Sequence, residues 1–318
     1  MTHFLVHLML LTLTALATLN LGVVGLTRAV QMPLPPLLYS TDGRLHLFEP
    51  NCTDYLAACL DRDRLLLEGL DVSFPVAQWS PDGAFIAVRM PEEWLIYRAD
   101  CLLNALICEP HRFDPDANPN VRLAWGPDGS ALAYGVEQYE REWLRVRSRG
   151  CWDGSPPEAC IEQNVSTAGG FPIQPDWSAD GSRLTFVGGT FLDIYLADLV
   201  CLDTGDACPS YAVTREQETE LWPSLSAGGT QVIYVLEQIS VAQIFLLDIE
   251  TGQRRQLTSR AASSIQPDWS AGDRYIAYAG FAPDNVGLTD IYLLDLPRAL
   301  HFRLIRSAER DMYPNWGP

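Results

Sequence analysis

Past its first thirty or so residues, the chain alternates short apolar runs with turn residues, and no long 3.6-residue periodicity interrupts the pattern. Runs such as IAV at 86–88, LAY at 132–134, LTF at 184–186, VIY at 232–234 and IAY at 276–278 read as strands of antiparallel sheets. Each follows the same phrase: QWSPDG from 78, AWGPDG from 124, DWSADG from 176, SLSAGG from 224 and DWSAGD from 268. The chain stops at PNWGP, 314–318. The anchors Trp79, Trp125, Trp177, Leu225, Trp269 and Trp316 lie 46, 52, 48, 44 and 47 residues apart, the length of one four-stranded propeller blade.

The interior of each repeat agrees. The anchor sits on a first strand. A Pro-Asp-Gly turn or a variant follows: Pro presets φ, Asp bonds back to the backbone, and Gly takes the positive φ. The apolar run is the second strand. Third strands read WLIYRAD from 94, DIYLADL from 193, QIFLLDI from 243 and DIYLLDL from 290; fourth strands read RLLLEG from 64, YAVT from 211, RRQLT from 254 and FRLIR from 302. The N-terminal repeat has second and third strands in 37–50 and a fourth in RLLLEG but no anchor, whereas PNWGP has an anchor and nothing after it. The expected fold is therefore an all-β six-bladed propeller over 34–318, its ring closed by the C-terminal strand joining the N-terminal blade, which leaves no long free edge.

The repeat P-x-W-S-x-D-G-x-x-[IL]-[AT]-[YF] resembles the TolB-like β-propeller repeat, which also builds the propellers of tricorn-type and dipeptidyl-peptidase-type proteases. The resemblance covers about 37–318. SLSAGG and AGD depart from the turn signature but keep the spacing. It implies protein binding at the cell envelope. TolB's separate N-terminal α/β domain has no counterpart expected here, so partner binding through such a domain is not carried over.

Residues 4–26, FLVHLMLLTLTALATLNLGVVGL, carry no Asp, Glu, Lys or Arg and are long enough to span a bilayer, while ALA at 15–17 has the form of a cleavage site. Residues 1–33 are thus expected to be a signal peptide or an N-terminal membrane anchor. Eight cysteines fall as Cys52 and Cys59, Cys101 and Cys108, Cys151 and Cys160, Cys201 and Cys208, each pair bracketing a third-to-fourth-strand hairpin. Opposed residues of antiparallel strands lie within disulfide reach. The spacing is too wide for ordinary zinc motifs, and no C-x-x-C is present. Four structural disulfides are expected, and with them an extracytoplasmic location: periplasm, cell surface or secreted.

The chain has 40 acidic residues against 22 basic ones, all Arg, for a net charge of −18. That charge repels phosphate backbones and excludes nucleic acid as a partner. There is no G-x-S-x-G elbow, H-E-x-x-H or P-loop, and only His46, His111 and His301 lie beyond the leader. Asp82, Asp128 and Asp180 are assigned to turns and the anchors to inter-blade packing. The candidate binding face is the channel mouth where first strands begin. Its loops hold Glu92, Glu93, Glu137, Tyr139, Glu140, Glu142, Glu216, Glu218, Glu220, Asp284, Asp290 and Asp311. The expectation is a non-catalytic exported propeller that binds a protein partner, without cofactor or metal. The alternative is a carboxylate-lined site at the channel mouth: a carbohydrate hydrolase or lyase, a quinoprotein-like enzyme, or a site for a divalent cation such as calcium.

Overall fold

In the computed structural model, the described residues are 34–50, 63–70, 76–91, 93–104, 108–113, 122–138, 141–165, 172–199, 208–215, 217–239, 241–259, 262–281 and 287–318. One compact unit comprises residues 35–49 and 62–318; the other, 1–34 with 50–61, lies outside the described residues except for Leu34 and Pro50. The apolar segment 4–26 and the pair Cys52 and Cys59 therefore fall outside as well. Among the described residues no helix is long and apolar enough to cross a membrane.

Blade 1 contributes β1 (Leu37–Thr41), β2 (Arg44–Phe48) and β3 (Asp63–Glu68). Blade 2 holds β4 (Ala77–Trp79), β5 (Phe85–Arg89), β6 (Trp94–Arg98) and β7 (His111–Arg112). Blade 3 holds β8 (Ala124–Trp125), β9 (Ala131–Gln138), β10 (Arg141–Ser148) and β11 (Glu162–Val165). Blade 4 holds β12 (Ile173–Trp177), β13 (Arg183–Gly188), β14 (Asp193–Asp198) and β15 (Ser210–Ala212). Blade 5 holds β16 (Thr219–Leu225), β17 (Gln231–Gln238), β18 (Val241–Asp248) and β19 (Arg254–Gln256). Blade 6 holds β20 (Ser264–Trp269), β21 (Tyr275–Phe281), β22 (Thr289–Asp295) and β23 (Leu300–Ile305). The last strand, β24 (Asp311–Trp316), pairs antiparallel with β1 and completes blade 1, so the described residues form six four-stranded sheets.

Burial runs outward from the ring in a fixed order. Second and third strands are sandwiched between neighbouring blades, and every residue of β22 is buried. Fourth strands face solvent, as in β7 and β19, where every residue is exposed. Cross-strand aromatic pairs recur at one level: Phe186 with Tyr195, Tyr234 with Phe245 and Tyr278 with Tyr292, with centroids 5.5, 6.1 and 5.5 Å apart. These are direct register partners on second and third strands, the contact that stabilises a sheet pair most effectively.

The W-S-x-D-G phrase closes the first hairpin. Ser80 and Ser178 are buried; their hydroxyls accept the Phe85 and Arg183 N–H groups (2.8 and 3.0 Å) and donate to Asp82 and Asp180 (2.7 and 2.6 Å). Asp82, Asp128 and Asp180 in turn accept N–H groups two residues on. Gly83, Gly129, Gly181 and Gly229 take the left-handed position at φ of 62–73°. In SAGD the order is exchanged, and Asp273 itself adopts φ 54°.

Candidate functional site

The first strands converge on a central channel, and two features of their sequence shape it. Three residues before the anchor, Gln174, Trp222, Gln266 and Tyr313 all have φ of 52–55°. The ladder shifts register beside each of these positions, which are β-bulges that re-aim the strand. Directly before the anchors stand Gln78, Ala124, Asp176, Ser224, Asp268 and Asn315, one from each blade.

These positions tie blade to blade. The indole N–H of Trp125 donates to the Gln78 carbonyl, that of Trp177 to Ala124, that of Trp269 to Ser224 and that of Trp316 to Asp268, all at 3.2–3.3 Å. In the other direction, the side chain before one anchor accepts the backbone N–H of the next: Asp176 from Leu225 (2.7 Å), Asp268 from Trp316 (3.0 Å) and Asn315 from Trp79 (2.8 Å). Between blades 4 and 5 the carboxylate bond is therefore present although Leu225 offers no indole. The Gln174 and Gln266 side chains make the same reach one level deeper, to the Trp222 and Tyr313 N–H groups at 2.6 and 2.9 Å. The anchors thus pack between blades and bond across them.

Above this ring lies a cavity of about 370 Å³. Its wall carries all six anchors, and its rim carries Pro81, Pro127, Ala179, Ala227, Ala271 and Pro318. Its floor carries Gln78, Arg122, Asp176 and Asp268. Below it the channel narrows to a space of about 10 Å³ against Trp222 and Tyr313, whose rings meet edge to face at 5.4 Å. The cavity opens where first strands end and first-to-second turns begin. The third-to-fourth hairpins lie on this same face: Arg149, after β10, pairs with Asp82 in the turn of blade 2 and donates to the Gly129 carbonyl at 3.1 Å.

The electrostatics of the floor are uneven. Arg122, nearly buried, lies 3.3 Å from Asp268, which also accepts from Asn315. Burial holds the Asp268 carboxyl above its ordinary range, against the opposing pull of Arg122. Asp176 is half-buried because it faces the cavity. Removal from bulk water, with Asp268 nearby, pushes it up to about 7 despite Arg122 and the Leu225 and Ser224 bonds. Among the described residues no group of three His, Cys, Asp or Glu side chains could hold a metal ion.

The acidic residues expected at the opposite mouth fare differently. Glu92, Tyr139, Glu140, Glu216 and Asp284 lie outside the described residues. Glu137 and Glu142 are register partners on β9 and β10. Glu93 pairs with Arg112 at 2.9 Å, and Glu218 is exposed. Glu220, Asp290 and Asp311 are fully buried. Glu220 accepts from Thr214 and from the Ile194 N–H, Asp290 pairs with Arg303, and Asp311 accepts from Thr41 and Ser307. These three join strands within and between blades and present no open carboxylate set; burial pushes Asp311 up to about 6. The cavity-floor residues went unassigned in the sequence. Their one signal was the polar residue standing before most anchors.

Two cysteine pairs are disulfides in these hairpins: Cys101 with Cys108 (Cα–Cα 5.8 Å) and Cys151 with Cys160 (4.3 Å). Cys208 is disulfide-bonded as well, while Cys201 lies outside the described residues.

The six blades and the closing strand define a six-bladed β-propeller, and the propeller is similar to that of TolB proteins. No protein-family model matches the chain. A protein TolB homolog from Chlorobium luteolum is 29% identical over 137 residues, covering 42% of this chain and 27% of that protein. The match therefore spans about a quarter of that relative's length. The crystal structure of TolB from Acinetobacter baumannii superposes with a TM-score of 0.65 at 17% identity, over 89% of this chain and 67% of that one. The putative TolB from Agrobacterium tumefaciens gives 0.62 at 15%, over 90% and 93%. A puromycin-hydrolyzing peptidase from Mycobacterium tuberculosis gives 0.52 at 14%, over 85% of this chain and 42% of that protein. At these identities the structural likeness is one of fold.

Proposed function

We propose that this chain is an exported, non-catalytic propeller of the cell envelope that binds a protein partner at the mouth ringed by its anchors. The observation that carries the reading is the cavity: a concave, aromatic-walled space with a few convergent polar groups, the usual form of a recognition site. The TolB relatives favour a protein partner and a periplasmic setting. The disulfides favour an oxidising compartment. In this reading residues 1–33 direct export, either as a cleaved signal or as a tether, and 34–318 is the propeller that does the binding.

A second reading, a carboxylate-based hydrolase or divalent-metal site, draws on Asp176 and Asp268 facing one cavity and on the peptidase likeness. Asp268 is taken by the Trp316 N–H and by Arg122, and Asp176 by the Leu225 N–H, which leaves no open carboxylate pair for acid–base chemistry or a metal ion, and the cavity lining includes no His, Cys or Tyr. The binding reading is the better supported.

Site-specific photo-crosslinking in native envelopes tests it. A crosslinking residue at Ala179 or Ala271, on the exposed rim, should capture a defined protein. One at Phe191 or Ile239, exposed on the opposite face, should not. Capture from Phe191 and Ile239 alone would overturn the docking face.

A further inference from the structure

The lining of the cavity carries more carboxylates than cations. Three carboxylates, Asp176, Asp268 and Asp273, and one guanidinium, Arg122, line the space. Arg122 is matched by Asp268 at 3.3 Å, and Asp273 is turned to the Ala227 N–H at 2.7 Å. Asp176 makes no ion pair among the described residues: it accepts from the Leu225 N–H and from Ser224, and it is only partly buried where it lines the cavity. A second, independent feature converges on the same space. Gln78 occupies the equivalent position two blades away, lines both the cavity and the constriction beneath it, and is 4% exposed. Its Oε1 is a buried acceptor with no hydrogen-bond partner. Native interiors seldom leave such an acceptor unmet. A carboxylate with no ion pair of its own and an amide oxygen without a donor, in an aromatic-walled pocket, call for one ligand chemistry: a positively charged, multiply donating head on a slender apolar stem.

We propose that the anchor-ringed cavity receives a guanidinium or ammonium head, its charge set against Asp176, its N–H groups given to Asp176 and Gln78, and its stem lying along the anchor indoles. The volume of about 370 Å³ is at the small end of ligand sites and suits one side chain rather than a folded element. Arg122 pairs with Asp268 at 3.3 Å, and Asp176 and Asp273 leave the lining with an excess of carboxylates over cations. Bringing a cation to Asp176 stabilises its ionised form, so binding near neutral pH releases a proton. The source is a basic side chain of a docked partner or a free small cation. In the first case the inference rests on the docking reading above, although its test needs no partner.

The test is calorimetric titration of the full chain with N-acetyl-argininamide, with its neutral isostere N-acetyl-citrullinamide, and with methylguanidinium as the free cation. The expected result is one saturable site for the argininamide, at least tenfold weaker binding of the citrullinamide, and proton release visible as a buffer-dependent heat at pH 7. Asp176→Asn should weaken the argininamide at least tenfold and abolish the proton release. Gln78→Leu should weaken it several-fold, and Glu218→Gln, on the far face, should leave it unchanged. Tighter binding of methylguanidinium than of argininamide would assign the pocket to free cations; the reverse would assign it to side chains. Equal binding of the charged and neutral probes, or Asp176→Asn and Gln78→Leu both binding like the parent, would overturn the proposal. Probe failure with crosslinks at Ala179 and Ala271 would remove the cation pocket and leave the docking face standing. Probe binding without those crosslinks would do the opposite.

Discussion

At the scale of single residues, the position before the anchor does more than the anchor's own conspicuous indole. Asp176, Asp268 and Asn315 each take the next blade's backbone N–H, and each does so inside the ring, where ionised carboxylates are costly. The cost has a sign. A carboxyl whose folded pKa is raised from 3.8 to about 7 contributes stability that is full below pH 4 and is lost as pH rises through 7. Asp311, raised to about 6, and Asp268 act in the same direction. The melting temperature of the parent is therefore expected to fall between pH 4 and 7. Asp176→Asn keeps an acceptor for Leu225 and should flatten part of that fall, which parallel thermal melts across the interval would measure. A slope unchanged by the substitution would show that Asp176 does not titrate in this window. None of this was legible beforehand. The polar residues before the anchors stood in plain view, but the bulges at Gln174, Trp222, Gln266 and Tyr313 break period-two alternation. Which side chains face the channel cannot be counted through them.

At the scale of elements, the contrast between stapled and unstapled hairpins has a local cause. In blade 5 the third-to-fourth turn closes itself: the Gly252 N–H reaches the Asp248 carbonyl at 2.9 Å, and Thr251 donates to the Asp248 side chain at 2.7 Å. In blades 2 and 3 the chain first makes a helical turn, at Ala99–Leu103 and Arg149–Cys151, before returning to a short fourth strand. β7 has only two residues, too few ladder bonds to hold that edge alone. The double variant Cys101→Ser, Cys108→Ser should therefore lose about 2.5 kcal/mol in the chain-entropy picture, read from denaturant midpoints. No change on comparing oxidised parent and variant would mean that the staple constrains nothing. The cysteine spacing made this element readable, because a hairpin fixes which residues oppose one another. The acidic loops were not readable in the same way. A carboxylate in a loop and one at a strand terminus look alike in sequence, yet Glu220, Asp290 and Asp311 are buried links and Glu218 is solvated.

At the scale of the whole molecule, six repeats become one structure only because the last half-repeat returns to the first. β24 sets Trp316 opposite Leu37 and Asn315 opposite Leu38, the Gly317 N–H meets the Pro36 carbonyl, and Glu309, just before the strand, pairs with Arg44. Asn315 and Trp316 also carry the ties to blades 2 and 6. The cavity, its indole wall and its carboxylate floor all exist because the ring is shut. Closure was legible from an anchor at the C-terminal end and its absence at the N-terminal one. The face that carries the cavity was not, because it depends on the large residues at the bulges, Trp222 and Tyr313, narrowing the channel where their rings meet. The most direct measurement is the thermal unfolding of the chain truncated after residue 312. Loss of Trp316 burial alone is a change of roughly 3–5 kcal/mol by analogy with large-to-small core substitutions. The truncated ring should therefore melt far below the parent, in a broader transition; a melting temperature equal to the parent's would contradict closure by β24.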